Sequence, residues 1–576
     1  MEAAHLVLAS IGVLIALLAH GRIAPAVLFT TFACVYYLTG LIDQRTLLAS
    51  YTNPALATLI LLLCVSLVLE RSPWIQRFSE ALLNGNPTVA TWRLGGFAAL
   101  CSAFLNNTAV VGALLGAVSR QRRIPASRLL IPLSYAAVLG GVTTLVGTST
   151  NMVVNSFVIG AGLPPLGMLS FAAVGIPVAL LCLLALPFAA RCLPARHPAE
   201  DESRQSYFLE ARVAEGSPLA GRSIEANRLR ALDGLFLLEI ARGDHLVTPV
   251  GPDEVLNEGD VLVFTGEVGN IQALQRFPGL ELFGHRADDL LRSNLVEVVV
   301  SHESELDGRT PREVDFRTMF DAGVVGIRRG EKRIEGQLGR VPLRAGDSLL
   351  LAVGPDFAHH RNLERNFRVV AGPALRPPLS DAQGRLVLGG FAVVLAASAM
   401  GGLPLFDGLL ALLALLLVRR LTSLSELRRR FPFELLMVIG SALAIARVIE
   451  SSGASALIAQ AMRAGFDGLG VWGALAGVYL ITLILTELVT NNAAAALAFP
   501  IGLSTAQAFG VDPMPFVMVV AYGASACFLM PSGYQTHLMV YSPGRYRLMD
   551  FVRAGLPISV LYSAAVLVLV PRVFPF

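Results

Sequence analysis

Charge is the scarcest commodity in this chain. Of 576 residues only 15% are Asp, Glu, Lys or Arg, against 54% hydrophobic residues and a mean hydropathy of +0.62. So few charges exclude an ordinary soluble protein of this length and make a polytopic membrane protein the default. The net charge of +3 is too small to support a nucleic-acid surface. Cysteines are six, and Cys34, Cys64, Cys101, Cys182, Cys192 and Cys527 each stand alone in or beside an apolar run. That scatter excludes a metal or redox spacing and reads as small core hydrophobes. No nucleophile–base arrangement is visible either, so an enzyme is not expected. A cleavable leader is not expected: residues 4–20 are apolar, but no basic region precedes them and a second apolar run comes at once.

What the chain has is apolar runs in two sets. Runs long enough to cross about 30 Å of hydrocarbon lie near 4–20, 24–41, 54–70, 128–162 (interrupted at Gly147) and 168–190. They recur near 383–401, 404–420, 433–450, 514–541 (interrupted at Gly533) and 554–573. Between the third and fourth run of each set lies a segment with a polar middle, 91–118 and 470–508. Each fits a helical hairpin that enters and leaves by one face, which is tolerable only where its tip is buried in protein or lines a cavity. Of the 42 Asp and Glu residues only 13 lie outside 195–380, so that stretch has a soluble composition between two membrane halves. The expected divisions are a first membrane repeat at 1–194, two inserted units at 206–285 and 290–372, and a second repeat at 380–576.

A pair of polar signatures occurs twice in the same order. The first copy is Ser102-Ala-Phe-Leu-Asn106-Asn107-Thr108, followed by Gly147-Thr148-Ser149-Thr150-Asn151. The second is Thr486-Glu487-Leu-Val489-Thr490-Asn491-Asn492, followed by Gly533-Tyr534-Gln535-Thr536-His537. About 40 and about 42 residues separate the two parts, so an arrangement is duplicated and not one short word. Asn, Thr and Gly at bilayer depth are costly unless they bind something or each other. Paired, interrupted membrane segments point to the midplane site of a secondary transporter.

Basic loops set the orientation. Arg120, Arg122, Arg123 and Arg128, then Arg419, Arg420, Arg428, Arg429 and Arg430, then Arg545, Arg547 and Arg553 can all be cytoplasmic in one thread. Both termini then lie outside, and the hairpins open from opposite faces. Five crossings separate the starts of the two halves, so the repeat is inverted. Arg71–Leu83 and Ser452–Phe466 read as short surface helices, either interfacial arms of a moving part or plain linkers.

The insert is itself a tandem. Gly221-Arg-Ser precedes Glu258-Gly259-Asp260, and Gly308-Arg-Thr precedes Ala345-Gly346-Asp347, with about 38 residues between the paired glycines. Short alternating strands such as Leu235–Ile240 and Val261–Phe264 indicate small α+β units. Gly-Asp serves a tight turn there; the units are either regulators or an inert spacer.

A carrier of a doubly charged anion needs donors: Asn amides, Thr and Ser hydroxyls, and backbone N–H groups at helix N-termini. It also needs positive charge, and neither motif contains Lys or Arg. Sodium ions would supply it, held by oxygen ligands that include carbonyls freed where a helix breaks. Other readings stand beside these. Asn and Thr also serve as interhelical glue. Glu487 is either a coupling or proton-carrying site or part of a structural pair. His537, at the place of Asn151 in the first copy, gives pH sensitivity or a helix-break hydrogen bond. Arg93 and Arg447 lie at membrane interfaces or pair locally.

At these residues the chain resembles the divalent-anion/sodium symporter family, whose hairpin tips carry a Ser-Asn-Thr motif. The matching triplets are Asn106-Asn107-Thr108 and Thr490-Asn491-Asn492. The resemblance implies that these triplets touch substrate, with Thr148 and Tyr534 facing it. It implies one sodium site at Ser102, Asn106, Asn107 and Gly147 and a second at Thr486, Val489, Asn491 and Gly533. Ser149-Thr150-Asn151 and Gln535-Thr536-His537 depart from the Pro-Pro-Asn usual after each break in dicarboxylate carriers. The insert resembles two RCK C-terminal domains, a combination similar to the sulfate-permease branch. The resemblance further implies a homodimer in the plasma (inner) membrane, in contact with lipid. It would carry sulfate, or else a C4-dicarboxylate, with sodium by an elevator movement. A small molecule acting at 206–372 would regulate it from the cytoplasm; no organic cofactor and no nucleic acid are implied. Two other expectations stay open: a sodium/proton or metalloid exchanger of the same superfamily, and a membrane anion sensor signalling through the insert.

Overall fold

Proline and short polar side chains set where the helices begin. Asn53 caps the helix Pro54–Leu69 by accepting from the Ala55 N–H, and Asn86 caps Pro87–Ser102 by accepting from Thr88. In both, proline occupies the first turn, where a missing N–H costs nothing. Ser380 and Gln383 form a reciprocal capping box that starts Asp381–Ala399. The computed structural model describes residues 2–576 other than 21–22, 72–81, 84, 122, 197–207, 230–231, 233–234, 244, 248–249, 267–273, 275–276, 284–294, 303, 335–337, 354–356, 358–359, 361, 372–378, 430 and 467.

Among the described residues, six helical runs are long and apolar enough to cross a membrane: Ala3–His20, Gln44–Leu69, Ala172–Arg191, Asp381–Ala399, Gly470–Leu488 and Leu548–Val573. Shorter apolar helices, Pro25–Leu38 and Leu405–Val418 among them, lie between these. The chain is a polytopic helical membrane protein. The hairpin segments are pairs of helices, Pro87–Ser102 with Asn107–Arg120 and Gly470–Leu488 with Asn491–Phe509. Each interrupted run is likewise two helices. Leu130–Gly141 gives way to Ser149–Gly160, and Met514–Ala524 to Gln535–Tyr541. The interruptions open well before Gly147 and Gly533, at Val142 and Ser525, so each break is a loop and not a kink at one glycine.

Two short helices escape a reading based on apolar runs. Gln44–Tyr51, capped by Asp43, and Leu424–Arg429, begun by Ser423, come after the second helix of each half. Leu424–Arg429 is too short and polar for hydropathy to register, and Gln44–Tyr51 is the polar start of the run Gln44–Leu69. Ala454–Phe466 forms a helix within the stretch Ser452–Phe466 and packs against Asn491–Phe509. For Arg71–Leu83, residues 72–81 lie outside the described residues.

The helical core is one contiguous cluster that includes Val110, Leu114, Leu133, Tyr135, Phe157, Val478, Phe516 and Phe528. Two buried tyrosines tie the halves: Tyr135 donates to the Phe528 carbonyl (2.6 Å) and Tyr522 to the Phe171 carbonyl (2.7 Å). The interrupted runs are backed so closely that only glycine fits. A Cβ on Gly175 would lie 2.5 Å from the Val142 carbonyl oxygen, and one on Gly555 would come closer still to that of Phe528.

Between the halves lie two five-stranded antiparallel sheets with separate cores. β1 (Phe208–Val213), β2 (Leu235–Arg242), β3 (His245–Val247), β4 (Val261–Gly266) and β5 (Leu280–Phe283) run in the order β3-β2-β4-β1-β5. β6 (Leu295–Val300), β7 (Ala322–Arg329), β8 (Lys332–Ile334), β9 (Ser348–Val353) and β10 (Phe367–Ala371) repeat that order as β8-β7-β9-β6-β10. The register shifts at matching places, Leu237/Glu239 and Val324/Gly326. Asp260 and Asp347 do more than make a turn. Each takes a two-pronged bond from an arginine eighteen positions earlier: Arg242 on Asp260 (3.0 and 2.9 Å) and Arg329 on Asp347 (both 2.7 Å). Such paired bonds fix one turn against the next.

The second sheet rests on the helical body. β10 packs along Asn107–Arg120, and Val299 of β6 joins the helical core. The turn after β7 and the turn before β9 both close on residues 538–547.

Candidate functional site

The two triplets sit at helix starts, where four backbone N–H groups have no partner within the helix. Asn106 accepts from the Thr108 N–H (3.0 Å), and Thr490 accepts from the Ala493 N–H (3.4 Å). The first member of each triplet therefore spends its side-chain oxygen on its own helix. The second and third members reach across to the opposite half.

That crossing is reciprocal. Thr108 donates to the Gln535 amide oxygen at 3.2 Å, and Ser149 donates to the Asn492 amide oxygen at 3.2 Å. The third residue of each tip thus meets the second residue after the opposite glycine. Asn107 joins the Tyr534 hydroxyl (2.5 Å), and Asn491 donates to Thr150 (2.7 Å). Tyr534 and Thr148 are in turn 3.2 Å apart, oxygen to oxygen. Two polar clusters result, Asn107 with Tyr534 and Thr148, and Asn491 and Asn492 with Ser149 and Thr150; they adjoin along the chain at Thr148-Ser149, and Thr108–Gln535 lies beside the first at Tyr534-Gln535.

Around Gly147 the groups are nearly all oxygens. A Cβ there would lie 2.5 Å from the Gly141 carbonyl oxygen and 2.9 Å from that of Ala103. Ser102 Oγ touches the Asn107 amide, and Thr144 donates to the Ala103 carbonyl while accepting from the Gly147 N–H (3.1 Å). The Asn107 amide is satisfied when its oxygen accepts from Tyr534 and its nitrogen donates to the carbonyls of Ala137 (3.1 Å) and Gly147 (3.2 Å). Hydroxyls, an amide and carbonyls freed by a helix break fit a hard monovalent cation, and among the described residues no cluster of His, Cys, Asp and Glu offers a transition-metal site.

The second break is held differently. Thr486 donates to the Ala524 carbonyl (2.6 Å), and a Cβ on Gly533 would lie 2.8 Å from the Thr486 carbonyl oxygen. The carboxylate of Glu487 accepts from three successive N–H groups, Phe528 (3.0 Å), Leu529 (3.0 Å) and Met530 (2.9 Å), and from the Cys527 thiol (3.4 Å). Val489 is buried at the hairpin turn. His537 contacts the Cys527 carbonyl through Nε2 (2.8 Å) and Ser134 through Nδ1 (2.7 Å), the helix-break bond expected of it. Asn151, its counterpart, donates to the Thr144 carbonyl (2.8 Å). Each break is thus closed by its own side chain.

Sequence reasoning passed over Gly175 and Gly555, which back the two breaks. The signal was present as Gly175-Ile-Pro177 and Gly555-Leu-Pro557, one in the last helix of each half. Arg447 also pairs, with Glu450 (3.3 Å) and with the Gly160 carbonyl, at the far end of the first interrupted run. It borders a cavity of about 700 Å³ lined by Asp43, Arg45, Asn53, Phe157, Phe499 and Gln507. Neither asparagine tip lines that cavity.

The chain matches the citrate transporter family, CitMHS, over residues 1–523. An uncharacterized transporter of Synechocystis is 30% identical over 570 residues, covering 94% of this chain and 92% of that protein. The uncharacterized transporter YfbS of Escherichia coli is 26% identical over 99% of both chains. Sodium/sulfate cotransporter 1 of Chlamydomonas reinhardtii is 30% identical over 386 residues, 63% of this chain and 43% of that protein. With its duplicated hairpins and breaks and a family match across most of its length, this chain belongs to the citrate transporter family and is a membrane transporter, not an enzyme.

Proposed function

We propose that the protein is a sodium-coupled symporter of a small divalent anion, sulfate first and a C4-dicarboxylate second. The observation that carries this reading is the reciprocal pair of 3.2 Å bonds, Thr108 to Gln535 and Ser149 to Asn492, which fastens each triplet to the break of the opposite half. Side chains able to donate to an anion, on the start of Asn107–Arg120, of Ser149–Gly160 and of Asn491–Phe509, belong to the two clusters and the bond beside them. Helix starts favour negative charge through their dipoles and exposed N–H groups. The named role of the Chlamydomonas relatives as sodium/sulfate cotransporters agrees with both ions.

Sodium is co-substrate here. Ser102, Asn106, Asn107 and Gly147 hold one ion, and Thr486, Val489, Asn491 and Gly533 hold the other. Their charge offsets that of the anion, which binds at Asn106, Asn107, Thr108, Thr148, Thr490, Asn491, Asn492 and Tyr534. The halves are inverted in a plasma (inner) membrane, the subunit works as one of a homodimer, and the hairpins and broken helices move as an elevator. The tandem at 206–285 and 290–372, RCK C-terminal-like and cytoplasmic, regulates that movement. The contact of its second unit with Asn107–Arg120 and with residues 538–547 supports this, because both segments lead directly into the first cluster.

The test is sodium-driven uptake of labelled sulfate into proteoliposomes by wild type and by Asn107→Ala with Asn491→Ala. Uptake by the wild type that needs a sodium gradient, and falls at least about tenfold in the double variant, is the expected result. Undiminished uptake in the variant removes the site, and sulfate binding without accumulation converts the reading to a sensor.

A further inference from the structure

We infer that Tyr534 sets the size of the transported anion, admitting a tetrahedral oxyanion of sulfate dimensions and excluding a four-carbon dicarboxylate. This rests on the anion-symport reading above and specifies its substrate. Within the chain, Thr148 and Tyr534 occupy corresponding places. Each comes directly after the glycine of a break and precedes a helix, with nearly the same backbone: φ −137°, ψ 146° and φ −136°, ψ 135°. Neither side chain caps its helix. The two positions are therefore presented alike, yet one carries a short hydroxyl and the other a phenol.

The difference in length decides what fits. The Thr148 hydroxyl stays at its own break. The Tyr534 ring leaves the second break and crosses to the first, where its hydroxyl meets Asn107 (2.5 Å) and Thr148 (3.2 Å). A ring that bridges the two breaks occupies space that two threonines would leave open. Nor is the ring a loose flap. It is 7% exposed and packs at 5.7 Å, centroid to centroid, against His537, whose two ring nitrogens are engaged by Ser134 and the Cys527 carbonyl. A buried aromatic ring has few torsions to change, so it acts as a fixed wall with a polar tip.

Sulfate puts both charges on one centre and needs only a compact cluster of donors. A C4-dicarboxylate separates its carboxylates by its carbon chain and needs two clusters with clear space between them. The Tyr534 ring stands between the breaks and denies that space, while its hydroxyl adds a donor for the compact anion. Discrimination by a filled volume is modest per methylene, but a whole ring removes several at once.

The experiment measures sodium-driven uptake of labelled sulfate and labelled succinate into proteoliposomes by wild type, Tyr534→Phe and Tyr534→Thr. Wild type should accumulate sulfate and ignore an excess of succinate. Tyr534→Phe should keep the exclusion and bind sulfate several-fold more weakly. Tyr534→Thr should gain succinate uptake by at least about tenfold. Succinate transport by the wild type, or a Tyr534→Thr protein that carries sulfate and still ignores succinate, overturns the inference and leaves the symport reading intact. Failure of wild type to take up either anion overturns the symport reading itself. If Tyr534→Thr carries nothing, thermal shifts of the purified variant decide: stabilisation by succinate as well as sulfate supports the inference, and stabilisation by sulfate alone overturns it.

Discussion

Glu331, at the turn between β7 and β8, is bonded through both carboxylate oxygens to the guanidinium of Arg547, which stands just before the last membrane helix. Arg196, at the end of the first half, lies 3.9 Å from the same carboxylate and 2.7 Å from Asp550. The bond to Arg547, reinforced by Arg196 and Lys332, holds the Glu331 carboxyl below its ordinary range. A depressed carboxyl stabilises the docked arrangement fully above the ordinary carboxylate pKa of about 4. That contribution is lost as pH falls through the lowered value. Protection factors for hydrogen exchange at residues 541–547, taken relative to the intrinsic rate at each pH, should therefore fall on acidification, and Glu331→Gln should show low protection already at neutral pH without that further drop. High salt should act in the same direction as acid, because the pair is half exposed.

Ser542 is gripped from two sides of the second sheet. Its hydroxyl accepts from the Gly330 N–H at 3.1 Å and donates to the Gly346 carbonyl at 2.5 Å. Gly330 has φ +59°, and a Cβ there would lie 2.6 Å from the Tyr546 carbonyl oxygen and 2.7 Å from the Tyr541 ring. Gly330→Ala should therefore release the turn, whereas Ser542→Ala leaves an amide unpaired and costs about 1–2 kcal/mol. Limited proteolysis near residue 542 should rank Gly330→Ala above Ser542→Ala above wild type. Equal cleavage of all three would mean that the contact is not made.

Glu487 is fully occupied as a holder of the second break. Replacing it with Gln keeps one acceptor oxygen for three N–H groups, so stability should fall by about 2 kcal/mol. Thermal denaturation in detergent measures the loss. A positioning role also predicts that the residual uptake of Glu487→Gln stays driven by sodium and not by a proton gradient. Uptake by the variant that has switched its driving ion would contradict this role.

Gly175 and Gly555 back the two breaks with no room to spare. Gly555→Ala must move the Phe528 carbonyl, which also accepts from Tyr135, and should cost about 1–3 kcal/mol. Gly389→Ala, with nothing within 4 Å, is the matching control and should be neutral or slightly stabilising because alanine favours a helix. Melting temperatures of the two variants give the comparison.

The duplicated Asn-Asn words were legible because polar residues in apolar sequence have few other reasons to be there. Helix positions could be read from hydropathy and from Asn-Pro and Ser-x-x-Gln starts. The pairing across halves was not legible: nothing local in Thr108 or Ser149 tells that its partner is Gln535 or Asn492, more than 340 positions away. Glu487 could be noticed as an acid in an apolar run, but its three N–H partners lie forty residues on and exist only once the second run breaks. The Arg242–Asp260 and Arg329–Asp347 braces were hidden for a plainer reason. Arginines in a charged insert are common, and only the fold singles out the two that lie behind the Gly-Asp turns.

Because each tip is fastened to the other half's interrupted helix, neither half by itself completes these contacts. Two half-length copies laid face to face would close two like crossings, each with the same residue beside its glycine. In this chain the like places carry unlike residues, a threonine against a tyrosine at Thr148 and Tyr534, and an alanine against a glutamate at Ala103 and Glu487. The two crossings are therefore not equivalent, and each can be altered without the other.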